Sequence, residues 1–167
     1  MPRTVIRRAV VADAEAIHAM LAALARDIDA AHRMAASVDD IRRHGFGANP
    51  VFDALIAETD GRAVGLCLFF TSFSSWRGST GVYVQDLYVA GEMRGTGLGR
   101  WLLEEVAAIA AAQGGTYLRL AVDAANIDGQ GFYERLGLSW CASERIFEIA
   151  GDGLAALGGE GNGDDAG

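Results

Sequence analysis

Arg94-Gly95-Thr96-Gly97-Leu98-Gly99-Arg100 joins an apolar run, Val82 to Val89, that reads as a strand to a second run, Trp101 to Gln113, that reads as a helix. Three alternating glycines let backbone come close to a ligand, and the first N–H groups of the following helix have no partner of their own and lie at its positive end. Anions bind at such a place. A Walker loop is excluded, because it needs Lys before Ser or Thr and all fourteen basic residues of this chain are Arg. A dinucleotide turn fails as well. Counted from Gly95, its third glycine falls on Arg100, and counted from Gly97 it falls on Leu102. What remains is R-x-x-G-x-G, met by Arg94 to Gly99, against the alternative of an ordinary Gly-rich turn.

The rest of the chain agrees with a globular domain. At 167 residues, 51% hydrophobic and 22% charged, it is long enough for one core and too apolar to be disordered. No apolar run reaches the length of a bilayer span, and Met1-Pro2-Arg3 leads straight into a strand-like stretch, so the expected compartment is the cytoplasm. Cys67 and Cys141 both lie in apolar stretches and are expected to be buried free thiols. His18, His32 and His44 lack ligand spacing, so no metal is expected. A net charge of −8 argues against nucleic acid and for a cationic partner. Residues 151–167 hold seven Gly, four acidic residues and no basic one, which predicts a flexible acidic tail after a body of residues 1–150.

Strand and helix signals alternate along that body. Thr4 to Val10 reads as a strand, and Asp13 can cap a helix whose apolar positions are Ile17, Met20, Leu21, Leu24 and Ile28. Ser37 with Asp40 resembles a capping box for a short helix ending near Gly45. Val51 to Glu58 and Val64 to Phe73 read as strands joined by an Asp60-Gly61 hairpin turn. After the glycine turn and its helix come a strand at Tyr117 to Val122 and a helix from about Ile127 to Leu136. A last strand pair, about Leu138 to Ser143 and Arg145 to Ile149, is expected to close the body.

Arg94 to Gly99 resembles the pattern with which GNAT acyltransferases hold the pyrophosphate of acyl-coenzyme A. From Thr4 to about Ile149 the order of elements resembles the GNAT fold. Four segments resemble, more narrowly, the spermidine/spermine (diamine) acetyltransferase branch: Phe46 to Pro50, Ser75-Trp76-Arg77-Gly78, Tyr83 to Val89, and Asn126 through Phe132-Tyr133-Glu134-Arg135-Leu136-Gly137. The resemblance implies an α/β (mixed α+β) fold with a central mixed, mostly antiparallel sheet flanked by helices on both faces. It implies acetyl-CoA bound by the backbone of Leu87, Tyr88 and Val89, by Arg94, Gly95, Thr96, Gly97, Leu98, Gly99 and Arg100, and by Asn126 and Tyr133. A homodimer is likewise implied.

The implied chemistry is N-acetylation of a small primary amine: a diamine, polyamine or lysine-like amino acid. An alkyl amine with a pKa of about 10.4 is protonated at neutral pH and attacks a thioester only after losing that proton. In the family a carboxylate on the central strand takes it, directly or through water; Asp86 is the candidate. A backbone N–H near Leu87 to Val89 would face the oxyanion, and Tyr133, in F-Y-x-x-x-G, would protonate the leaving thiolate. Gln85, Asp86 and Trp76 are the candidate substrate contacts. Each residue also has a plainer role: Tyr133 as a core aromatic, Asn126 as a helix cap, Asp86 as the partner of an arginine, Trp76 as a loop closure. One departure matters. The diamine branch carries Glu then Asp on this strand, whereas this chain carries Gln85 then Asp86, which halves the anionic contact for a polyamine. Antibiotic-amine or protein acetylation, and a non-catalytic acyl-CoA-binding module, are the alternatives.

Overall fold

The computed structural model describes residues 3–159, which divide after Gln130 into two compact units. In the first unit, five strands form one sheet in the order β1-β2-β3-β4-β5: β1 Thr4–Arg8, β2 Asp53–Thr59, β3 Arg62–Ser74, β4 Ser79–Val89 and β5 Leu118–Leu120. The first three pairings are antiparallel and β4 with β5 is parallel. Asp60 and Gly61 both take positive φ, 51° and 78°, the mirror-image turn that matches the twist of a two-residue hairpin.

Alternation along β2 and β3 gives the sheet two buried faces. Ala54, Ile56 and Leu66 pack with Ile17 and Met20 of α1 (Ala14–Asp27) and with Ile41 of α2 (Val38–Phe46). On the other face Gly65 lies opposite Ala57, and a methyl added to it would stand 3.1 Å from Leu102 and 3.3 Å from Leu98, both in α3 (Leu98–Ala112). Helices therefore cover both faces, as the resemblance implied. α2 opens on the expected capping box, Asp40 N–H donating to Ser37 Oγ at 3.1 Å and Ser37 N–H donating to Asp40 Oδ2 at 2.9 Å.

Asp13 departs from expectation. Its carboxylate makes no cap bond to α1. It accepts instead from both terminal nitrogens of Arg7, each at 2.8 Å, and from Val10 N–H at 2.7 Å, because the Arg7 guanidinium on β1 is within reach and offers more than one donor.

α4 (Ile127–Arg135) crosses the boundary into the second unit, where the expected strand pair is not formed. Residues 138–150 hold no regular element, and Trp140, Ile146 and Phe147 are exposed. A hydrophobic pattern states which side chains favour burial, but a strand also needs a neighbouring edge for its backbone groups. Cys141 shares this surroundings and is exposed, unlike Cys67, which is buried in β3; both are free thiols. Within the stretch expected to be flexible, Asp152–Leu157 forms α5, with Leu154 and Leu157 exposed; residues 160–167 lie outside the described part. Among the described residues no helix is long and apolar enough to cross a membrane.

Candidate active site

The site is built around an irregularity in β4. Leu68 pairs with Asp86 and the next residue of β3, Phe69, pairs with Val84, so Gln85 is an extra residue, a β-bulge. Its effect on the backbone can be followed through the hydrogen bonds. Before the bulge, Val82 N–H donates sideways to Tyr117 O at 3.0 Å, toward β5. After it, Ala90 N–H donates to Val64 O at 2.9 Å, toward β3. In an antiparallel pair, alternate residues turn their N–H groups to the same neighbour. Even-numbered residues that face β5 before the bulge therefore face β3 after it, and the N–H groups of Leu87 and Val89 turn outward. The pairing of β4 with β5 ends at Val84 and Leu120, so those N–H groups face the gap where the two strands part.

The same shift places the side chains. Tyr88 pairs with Leu66 and packs on the α1–α2 core, so it offers a ligand only its backbone. Asp86, two residues earlier, lies on that same face, half-buried, while Gln85 is exposed. Burial raises the Asp86 carboxyl above its ordinary value, and none of the ion pairs among the described residues includes it. Cys67, buried beside it, has its thiol pushed up to about 12 by burial first and by the Asp86 charge second, so it stays protonated. Phe70 stacks on Tyr83 at 5.1 Å between ring centroids, paired across β3 and β4 on the Asp86 face. Nothing in the sequence assigns these two aromatics a role, because their face depends on the position of the bulge.

The glycine turn follows β4 directly. Gly95 and Gly97 take φ of 77° and 88°, and an added Cβ at either would meet nothing within 4 Å. Glycine is required there for the backbone conformation, and the space beside it is open to a ligand. Gly97 is the N-cap of α3, with no side-chain cap and no acidic residue in the first turn, so the opening N–H groups of Leu98, Gly99 and Arg100 are presented outward. Thr96 Oγ1 donates to Met93 O at 2.6 Å and Arg100 Nε donates to Glu104 Oε1 at 2.7 Å. Arg94 Nε donates to Val89 O at 3.1 Å, and its terminal nitrogen pairs with Asp27. These residues fit the diphosphate of a coenzyme: open backbone donors, a helix N-terminus and an arginine.

Asn126 caps α4, its Oδ1 accepting from Gly129 N–H at 2.9 Å. It also lines a cavity of about 330 Å³ with Asp27, Ile28, Asp123, Ala125, Ile127 and Asp128. Three carboxylates and no basic residue line this cavity, a concentration the sequence hides because Asp27 is nearly a hundred positions from Asp123. Trp76 is fully exposed at the tip of the β3–β4 hairpin. Six residues of β4 separate Ser79, at the hairpin end, from Asp86, roughly 20 Å along a strand, so Trp76 and Asp86 are not brought together within one chain. In the second unit Tyr133 lies half-buried in α4, its ring edge-on to Phe132 at 5.2 Å.

The acetyltransferase (GNAT) family matches residues 17–138. The chain is 32% identical over 170 residues to thialysine N-epsilon-acetyltransferase of Mus musculus, covering 95% of this chain and 99% of that protein. It is 31% identical over 112 residues to spermidine/spermine N(1)-acetyltransferase-like protein 1 of Homo sapiens, covering 63% of this chain and 16% of the other. Among solved structures, aminoglycoside N-acetyltransferase AAC(6')-Iy in complex with CoA has a TM-score of 0.71 at 17% identity, covering 90% of this chain and 96% of that one.

Proposed function

The chain belongs to the acetyltransferase (GNAT) family, and from that premise we propose that it transfers the acetyl group of acetyl-CoA to a primary amine of a small molecule: a diamine, polyamine or lysine-like amino acid. The observation that carries this reading is the bulge at Gln85, which turns two strand N–H groups into the gap and leaves at Asp86 a half-buried carboxylate that has no ion pair among the described residues. The named relatives support an amine as acceptor.

Acetyl-CoA supplies the activated acetyl group as a thioester. The open N–H groups of the turn and of the start of α3, with Arg94, would hold its diphosphate, while the strand backbone of Leu87 to Val89 and Asn126 would hold its arm. Asp86 takes the proton from the incoming ammonium. Its raised pKa suits that task, because a carboxylate that holds a proton more firmly is a stronger base. Leu87 or Val89 N–H, facing the gap, would donate to the thioester oxygen. Tyr133 Oη would supply the proton that the coenzyme's sulfur needs. Phe70 and Tyr83, stacked on the Asp86 face, would line the amine's approach to it.

Residues 1–150 form the catalytic domain in this reading and 151–167 a tail, acting in the cytoplasm. Exposed Trp140, Ile146 and Phe147 support a homodimer that covers them. The test is a thermal-shift titration with acetyl-CoA followed by an acetylation assay across amines. A ligand at about a hundred times its dissociation constant adds about 2.7 kcal/mol to wild type. Gly97→Asp, which places a charge in the turn, abolishes the shift. Short amines are acetylated with higher kcat/KM than spermine. A wild type that shows no shift, or shifts no more than Gly97→Asp, contradicts the reading of the turn.

A further inference from the structure

Both arginines of the glycine turn are engaged by carboxylates, in unlike ways. Arg100 bonds Glu104 one turn along α3, an ordinary helix-surface pair. Arg94 reaches across 67 positions of sequence to Asp27, the last residue of α1. A carboxylate at the C-terminal end of a helix faces the negative end of the helix dipole and is unfavourable there without a cation. The cation Asp27 has is the arginine of the anion-binding turn. Arg94 spends its Nε on Val89 O and a terminal nitrogen on Asp27, so one of the two edges of its planar fork is occupied and only the end-on edge is left to meet a phosphate.

We propose that Asp27 is a positioning residue that acts through Arg94: it holds one edge of the guanidinium when the turn is empty and competes with the coenzyme's diphosphate for it. Asp27 thereby sets how tightly the turn binds acetyl-CoA. The diphosphate wins the exchange because it brings two negative charges and adds the open N–H groups of the turn, whereas Asp27 brings one charge and is partly exposed at 39% of its side-chain surface. The inference rests on the reading of the turn as the coenzyme site.

The test is calorimetric titration of CoA into the full chain, without amine, for wild type, Asp27→Asn, Asp27→Glu, Arg94→Gln and the Asp27→Asn/Arg94→Gln pair. Asp27→Asn is expected to bind CoA roughly two- to five-fold tighter, the range of an exposed ion pair, with a larger gain at lower salt. Asp27→Glu, which keeps the charge, returns toward wild-type affinity. In the Arg94→Gln background the gain from Asp27→Asn falls to less than half. Asp27→Asn is isosteric and the melting temperature of each unliganded variant confirms folding. Wild type that binds CoA, with Asp27→Asn binding equally or more weakly, overturns this inference alone. So does an equal gain in both backgrounds, which would reflect general repulsion. A wild type that does not bind CoA overturns the reading of the turn together with it.

Discussion

Asp13 and Asp86 are aspartates of the same unit, each beside a strand of the same sheet, yet their surroundings oppose each other. The Arg7 guanidinium bonds Asp13 twice and holds its carboxyl below the ordinary value of 3.8, with Val10 N–H adding to the effect. Arg7 also pairs with Glu58, so β1, β2 and the entry to α1 are tied at one corner. Asp86 is half-buried and belongs to none of the ion pairs among the described residues, and burial raises its carboxyl. The first arrangement favours the folded state. The second opposes it at neutral pH, and an arrangement that costs stability is where chemistry is to be sought.

The signs follow by linkage. Asp13, with its folded pKa lowered, contributes stability above its ordinary value that is lost as pH falls through the folded value. Asp86, with its folded pKa raised, is favoured when protonated, so stability is lost as pH rises from the ordinary value of 3.8 to the raised one.

The strongest way to break the comparison is Asp86→Asn. Turnover is expected to fall about 10²- to 10⁴-fold, the usual contribution of a general base, while the melting temperature at pH 7 stays level or rises. Unchanged turnover, or a clear drop in melting temperature, would mean that Asp86 is a structural carboxylate like Asp13. Tyr133→Phe comes next, with turnover lowered about 10- to 100-fold and CoA affinity retained, read by steady-state kinetics beside a CoA titration. Equal turnover would return Tyr133 to the role of a packed aromatic.

Asp13→Asn tests the other side. We expect a loss of about 1–2 kcal/mol at pH 7 by denaturant unfolding, because the Arg7 donors lose their charged acceptor but keep Glu58, with kcat unchanged. The loss should shrink as pH falls below 3.8, where wild-type Asp13 itself becomes protonated. The smallest effect belongs to Gln85→Glu. Adding a charge at this exposed bulge residue should shift kcat/KM toward spermine over a short diamine by roughly two- to five-fold in competition assays. No shift would mean that the bulge residue does not meet the amine.

Local chemistry made much of this legible in the sequence. The Asp60-Gly61 turn, the Ser37–Asp40 box and the left-handed Gly95 and Gly97 each follow from a few adjacent residues. The candidate base was legible too, since an acid inside an apolar strand is conspicuous, although only the register showed that Gln85 is the extra residue. Contacts between distant segments were not legible. Asp13 looked like a cap because its partner lies back on β1, and nothing in the sequence links Asp27 to Arg94. Leu138 to Ile149 carries the apolar pattern of strands, but pattern alone does not supply an edge to pair with, and Trp140 and Phe147 are exposed.

The most direct test of the account is the pH dependence of kcat/KM for wild type and Asp86→Asn with one short diamine. Both proteins share the limb set by deprotonation of the amine itself. Wild type should show, in addition, a rise on the acid side with an apparent pKa above the ordinary carboxylate value of 3.8, and the variant should lack that rise at a lower overall rate. The same acid limb in both proteins would contradict the assignment of Asp86 as the base.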